Sequence, residues 1–120
     1  MRKLIIILFV FSIYAHHAQA AIYYTTKTGS GSTCSIGSPC STVAVGVSKL
    51  APGDKLIIGG GTYDEAIIDT VPSGSSPASP TTIISATGET VIIRPISSSF
   101  HSIFNFSGAF DNILLDGLII

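Results

Sequence analysis

The sequence has no tryptophan, one methionine and six basic residues among 120. Each scarcity excludes something. Six Lys and Arg against seven Asp and Glu leave a net charge of −1. No basic patch is available to neutralise phosphates, so nucleic acid is not an expected partner. Neither G-x-x-x-x-G-K-[ST] nor G-x-G-x-x-G occurs, so the triplet Gly59-Gly60-Gly61 has no phosphate-cradling context and nucleotides are excluded as well. The two cysteines have no third or fourth ligand nearby and cannot close a tetrahedral metal site. The long apolar run at the start, Leu4 to Tyr14, has 11 residues. At about 1.5 Å per residue it covers roughly 17 Å of a ~30 Å hydrocarbon core, too little to cross it as a helix.

That run does have the anatomy of a secretory signal peptide. Arg2 and Lys3 precede it, and Ala18-Gln19-Ala20 follows as a small-x-small cleavage site. Cleavage after Ala20 is expected to leave a chain from Ala21 to Ile120, located outside the cell, in the periplasm or at the cell surface. Lys27, Lys49, Lys55 and Arg94 against seven acids then give a net charge of −3. Export brings Cys34 and Cys40 into an oxidising compartment, where a local disulfide is the natural reading and two free thiols the alternative.

Val, Ile, Ser, Thr and Gly dominate the remainder, a strand-and-turn composition. Ala21 to Gly29 reads as a first strand. Val43, Ala44, Val47 and Leu50 recur at helical spacing, with Ser41 or Thr42 placed to cap the start and Ala51 to Asp54 to stop it. One helix over Cys40 to Leu50 is expected. From Gly53 onward short apolar runs alternate with Gly, Pro and Ser corners. The runs are Leu56-Ile57-Ile58, Ala66-Ile67-Ile68, Thr82-Ile83-Ile84, Val91-Ile92-Ile93, Ile103 to Phe106 and Ile113-Leu114-Leu115. They pair into a repeat of about 20 to 26 residues with two strands each, the insertion Thr70 to Pro80 looping outward. Consecutive large apolar residues disfavour a β-sandwich, whose strands alternate. A solenoid, in which like stacks on like about 4.8 Å apart, fits better. Its expected stacks are Ile57 on Ile83, and Ile67 on Ile92 on Leu114.

At the level of motifs, "CSTVAVGVSKLAPGDKLIIGGGTYDEAIID" resembles the N-terminal cap and first coil of secreted right-handed parallel β-helix proteins of the pectate-lyase-like superfamily. "PSGSSPASPTTIISATGETVIIRP" and "FNFSGAFDNILLDGLII" look like the next two coils. The resemblance implies an all-β solenoid with a short capping helix and an expected truncation at its C-terminus. It divides the chain into a signal peptide (1–20), an N-terminal cap strand, Cys loop and helix (21–52), and about three coils (53–120).

The resemblance also implies chemistry. Lyases of this kind cleave uronate-containing polysaccharides by β-elimination. A Lys or Arg takes the proton beside the uronate carboxylate, and calcium or a cationic side chain stabilises the resulting charge. The acids available for such a role are Asp64, Glu65, Asp69, Asp111 and Asp116. Asp69, Arg94 and Asp116 all follow strands that the two-strand repeat makes equivalent, so they form a candidate ladder for substrate or calcium; a surface row of ion pairs is the blander reading. Asp64-Glu65 reads as a turn pair, Lys49 and Lys55 as solvated, and His101 as having no catalytic partner. Tyr23 and Tyr24 are expected to pack at the cap, and Asn105-Phe106-Ser107 matches a glycosylation sequon. The expected partner is a polysaccharide or cell-surface glycan. A lyase-like enzyme, active in coils beyond this chain, stands against a non-enzymatic adhesin or stalk.

Overall fold

The computed structural model describes residues 19–68, 71–97, 103–105 and 110–120. Nine short strands and one helix lie among them: β1 (Ile22–Thr25), α1 (Val43–Val47), β2 (Lys55–Ile58), β3 (Gly61–Asp64), β4 (Ile67–Ile68), β5 (Thr81–Ser85), β6 (Val91–Arg94), β7 (Phe104–Asn105), β8 (Ile113–Asp116) and β9 (Leu118–Ile119). Among the described residues α1 is the one helix and the rest of the regular structure is strand, and each pairing between these strands is parallel. Three sheets result, ordered β1-β2-β5-β8, β3-β6-β9 and β4-β7. The chain runs β2-β3-β4, then β5-β6-β7, then β8-β9. Each pass therefore visits the sheets in the same order and lays its strands beside those of the pass before.

Register makes columns of the side chains. In the first sheet Tyr23, Leu56, Ile83 and Leu115 are successive partners. Leu56 and Ile83 are fully buried, and Tyr23 and Leu115 pack against the same core. The neighbouring column, Tyr24, Ile57, Ile84 and Asp116, faces outward and is less buried. In the second sheet Tyr63 and Ile93 point inward, while Thr62, Ile92 and Ile119 form an outer column. With Val43, Val47, Ile58, Val71, Val91 and Ile103 the inward residues make one core.

The repeat differs from the expected one. Lys55 is partnered by Thr82, 27 positions on (55 to 82), and Gly61 by Val91, 30 positions on (61 to 91). There are three strands per pass, because Gly61–Asp64 is a strand and not the corner it resembles. The stacks shift accordingly. Ile83 sits on Leu56 and Ile84 on Ile57. Ile67 pairs with Phe104, Ile92 with Thr62 and Ile119, and Leu114 with Thr82. The cause is degeneracy: the Ile-Ile doublets look alike, and a strand whose inward residues are Gly61 and Tyr63 has no apolar run to announce it.

A stack of parallel strands leaves the outer edge of its first strand unpaired, and the residues before α1 cover it. Tyr24 N–H donates to Cys34 O (2.7 Å), Cys40 N–H to Tyr24 O (3.0 Å) and Thr26 N–H to Cys40 O (2.8 Å). Cys34 and Cys40 are joined by a disulfide, with their Cα atoms 4.6 Å apart, and both are buried. The bridge holds the two residues that supply these edge bonds.

Helix α1 is shorter than the Cys40 to Leu50 expected. Thr42 is extended (φ −125°) and its hydroxyl accepts from Val45 N–H, so the helix starts after it. Leu50 still packs against the core from beyond the end. Val43 and Val47 are buried, and Gly46 lies so close to the sheet that a Cβ there would stand 2.5 Å from Thr25 Oγ1 and 2.8 Å from a Leu56 methyl.

Gly46→Ala tests this packing. In an exposed helix the change is favourable by about 0.5–1 kcal/mol. Here overpacking costs roughly 1–3 kcal/mol, so the melting temperature should fall. A rise in thermal melts would refute the contact.

Candidate functional site

The polar side chains cluster where strands end, and three of the carboxylates hold backbone. Asp54, only 7% exposed, accepts from Ala21 N–H on Oδ1 (2.7 Å) and from Ala51 N–H on Oδ2 (2.8 Å). Glu65 accepts from Val43 N–H (2.9 Å) and Ala44 N–H (2.8 Å), one on each carboxylate oxygen. Those are orphan amides of the first turn of α1, where a negative charge is favoured. Glu89 accepts from Gly60 N–H. The expected turn pair Asp64-Glu65 thus divides: Glu65 turns in to cap the helix, and Asp64 turns out.

Asp64 and Arg94 are cross-strand partners on the outer face of the second sheet. Arg94 Nε donates to Asp64 Oδ1 (2.9 Å) and Nη2 to Oδ2 (3.2 Å). Both side chains are more than half exposed, at 59% and 53%. Of the candidate ladder, Arg94 and Asp116 are not brought together. Arg94 ends β6 in the second sheet, whereas Asp116 ends β8 in the first, opposite Ile84. Their strands are not equivalent, because the three-strand repeat puts β6 above β3 and β8 above β5. Asp69 and His101 lie outside the described residues, as do Phe106 and Ser107 of the sequon. Asp111 anchors backbone: its N–H donates to Ser73 Oγ (3.1 Å) and its carbonyl accepts from Gly74 N–H (3.0 Å). Lys49 is exposed, and Lys55 is half-buried on the outer face of β2.

The triple glycine and Tyr63 form one knot. Tyr63 is fully buried and its hydroxyl donates to Gly59 O (2.8 Å). Lys27 Nζ stands 4.9 Å from its ring centroid. Gly61 has φ +139°, and a Cβ there would come within 2.6 Å of the Lys27 side chain, so glycine is required twice over. Burial, followed by the nearby charges of Glu65 and Glu89, pushes the Tyr63 phenol up to about 12 from 10.0. This knot is structural: its polar atoms are turned on one another.

Two adjoining grooves flank the start of β1. One, of 440 Å³, is lined by Ile22, Lys55, Ser79, Pro80 and Thr82 among others. The other, of 310 Å³, includes Gly53, Asp54, Ser75 and Ser79. Ala20 lines both. Among the described residues no group of three or more His, Cys, Asp or Glu is placed to hold a metal ion. No described helix is long and apolar enough to cross a membrane.

The contacts of Asp54 with Ala21 and of Glu89 with Gly60 leave no local signal in the sequence, and Glu65 reads locally as half of a turn pair. A helix N-terminus asks for an acid, but the acid that answers α1 stands 22 positions away. Only topology brings it there.

Fold and site together define an all-β protein of stacked parallel sheets. No family model matches the chain, and no curated protein does. Among solved structures it is similar to XylC, in the complex of that protein with xylose, at 29% identity and a TM-score of 0.55. The match covers 59% of this chain and only 11% of that one.

The two kinds of carboxylate should separate on mutation. Glu65→Ala strands two helix amides and should cost about 1–3 kcal/mol in denaturant unfolding, whereas Arg94→Ala breaks an exposed pair and should cost under about 1 kcal/mol. Tyr63 should add an alkaline limit. Its folded-state pKa is raised, so the folded chain keeps a proton that the unfolded chain releases. Stability from this group is therefore complete below about pH 10 and is lost as pH rises toward about 12. Melting curves across that window should lose this component in Tyr63→Phe.

Proposed function

We propose that this chain forms the first coils of a secreted right-handed parallel β-helix protein of the pectate-lyase-like kind, acting on polysaccharide. The observation that carries the reading is the ordered return of the chain to three in-register parallel sheets, together with the likeness to XylC. Right-handedness follows from the rule for parallel crossovers, obeyed in about 98% of cases. The signal-like segment before Ala21 and the Cys34–Cys40 bridge support an exported protein.

The reaction we assign is β-elimination on a uronate-containing glycan. Its base and its charge-stabilising groups are not assigned to residues of this chain. Arg94 and Asp116, which stand in different sheets with Arg94 engaged by Asp64, lend no support to a shared calcium or substrate site. A second reading, a non-enzymatic surface protein that binds glycan, draws support from the sugar in the XylC complex.

Full-length protein incubated with pectate, alginate and chondroitin sulfate separates the two. The lyase reading expects absorbance from unsaturated uronate with at least one polymer. Binding without any absorbance gain would remove it and leave the glycan-binding reading.

A further inference from the structure

The Ala21 nitrogen donates at 2.7 Å to the carboxylate of Asp54, a side chain almost shut off from solvent. Ala21 is also the residue that cleavage after Ala20 would expose. We infer that Asp54 is the receptor for the new N-terminus: processing turns an amide–carboxylate hydrogen bond into a shielded ion pair that fastens β1 to the stack. The inference rests on the secretion reading proposed above.

The covalent step is ordinary hydrolysis by a signal-peptide-cleaving protease. Water adds across the Ala20–Ala21 amide, the C–N bond breaks, and Ala20 leaves as a carboxylate. Ala21 keeps the amine, which is protonated below its ordinary pKa of about 8. The scissile bond is reachable, because Gln19 and Ala20 are exposed and border the two grooves beside β1. The receptor is already built on the other side. Asp54 Oδ2 is held by Ala51 N–H, which aims Oδ1 at Ala21, and Ala21 O accepts from Lys55 N–H (2.9 Å). The elements around the site bring two charged groups, Asp54 itself and Lys55 on β2; the other groove-lining residues, from the loop before β2, from Ser75 to Pro80 and from β5, are uncharged.

The charge matters through position. An amide in this place gives one neutral donor to the carboxylate. An ammonium gives a full charge in surroundings of low dielectric, where charge-assisted bonds are roughly twice as strong. The N-terminal strand, whose neighbours are β2 on one edge and the Cys loop on the other, is thereby locked only after the leader has gone.

The test exports the full chain from an oxidising host and compares it with a chain carrying one Gly inserted after Ala20. The insertion moves the charged amine one residue away and leaves Ala21 as an amide. Intact mass first locates the cut. The expected result is a processed chain starting at Ala21 whose melting temperature exceeds that of the Gly-extended chain by about 5 °C near pH 7. The partner raises the folded-state pKa of the amine, so its contribution is whole below about pH 8 and fades as pH rises above it; the two curves should converge there. Asp54→Asn should remove the pH-dependent difference even where it lowers both curves. A cut elsewhere than Ala20–Ala21 would overturn the inference through the processing reading. A correct cut with equal melting profiles in the two chains would overturn it while leaving that reading intact.

Discussion

Parallel pairing in register is the constraint on which the rest depends. Each strand residue has a partner about 4.8 Å away on the next pass, so whatever one strand places inward the next must continue. Tyr23, Leu56, Ile83 and Leu115 show the result, an apolar column through four strands. The connections are not held to the same rule. Between equivalent strands the offset is 27 residues from Lys55 to Thr82 and 32 from Thr81 to Ile113. Strand composition is therefore constrained while corner composition is not.

The same constraint creates a problem at the first strand, and the chain answers it with polar atoms. The edge of β1 is covered by Cys34 and Cys40, joined to one another. The helix above the core is too short to be stable by itself, since isolated helices under about 12–15 residues are marginal. Its five residues are held by Glu65 at the amides and by Val43 and Val47 in the core. Three carboxylates, Asp54, Glu65 and Glu89, each clamp backbone that a different part of the chain presents. A chain with so few charges commits nearly half its acids to such clamps.

What the sequence makes legible follows from the same physics. Strands with consecutive branched apolar residues, such as Leu56 to Ile58 and Val91 to Ile93, can be read directly, because burial on a parallel sheet demands them. The short helix is legible from Val43 and Val47, and the disulfide from two closely spaced cysteines. β3 is not legible: its inward positions are Gly61 and Tyr63, and its glycines resemble a turn. Without β3 the repeat looks shorter than it is, and Arg94 falls on the wrong sheet. The ladder of Asp69, Arg94 and Asp116 follows from that single difference in period. Side chains that act across the chain, as Glu65 does on α1, leave no local trace.

These placements bear on where chemistry can reside. An outer sheet face offers a polysaccharide a row of side chains one strand spacing apart, a pitch that suits a repeating polymer. In the second sheet that row holds Thr62, Ile92 and Ile119, flanked by Asp64 and Arg94 bound to each other. Those two charges are committed to one another across the strands. In the first sheet one outer row carries Tyr24, Ile57 and Ile84 before Asp116, and the other carries Ile22, Lys55, Thr82 and Leu114, so its outer face is mostly apolar with one cation and one carboxylate. The described strands thus supply a scaffold and a protected end.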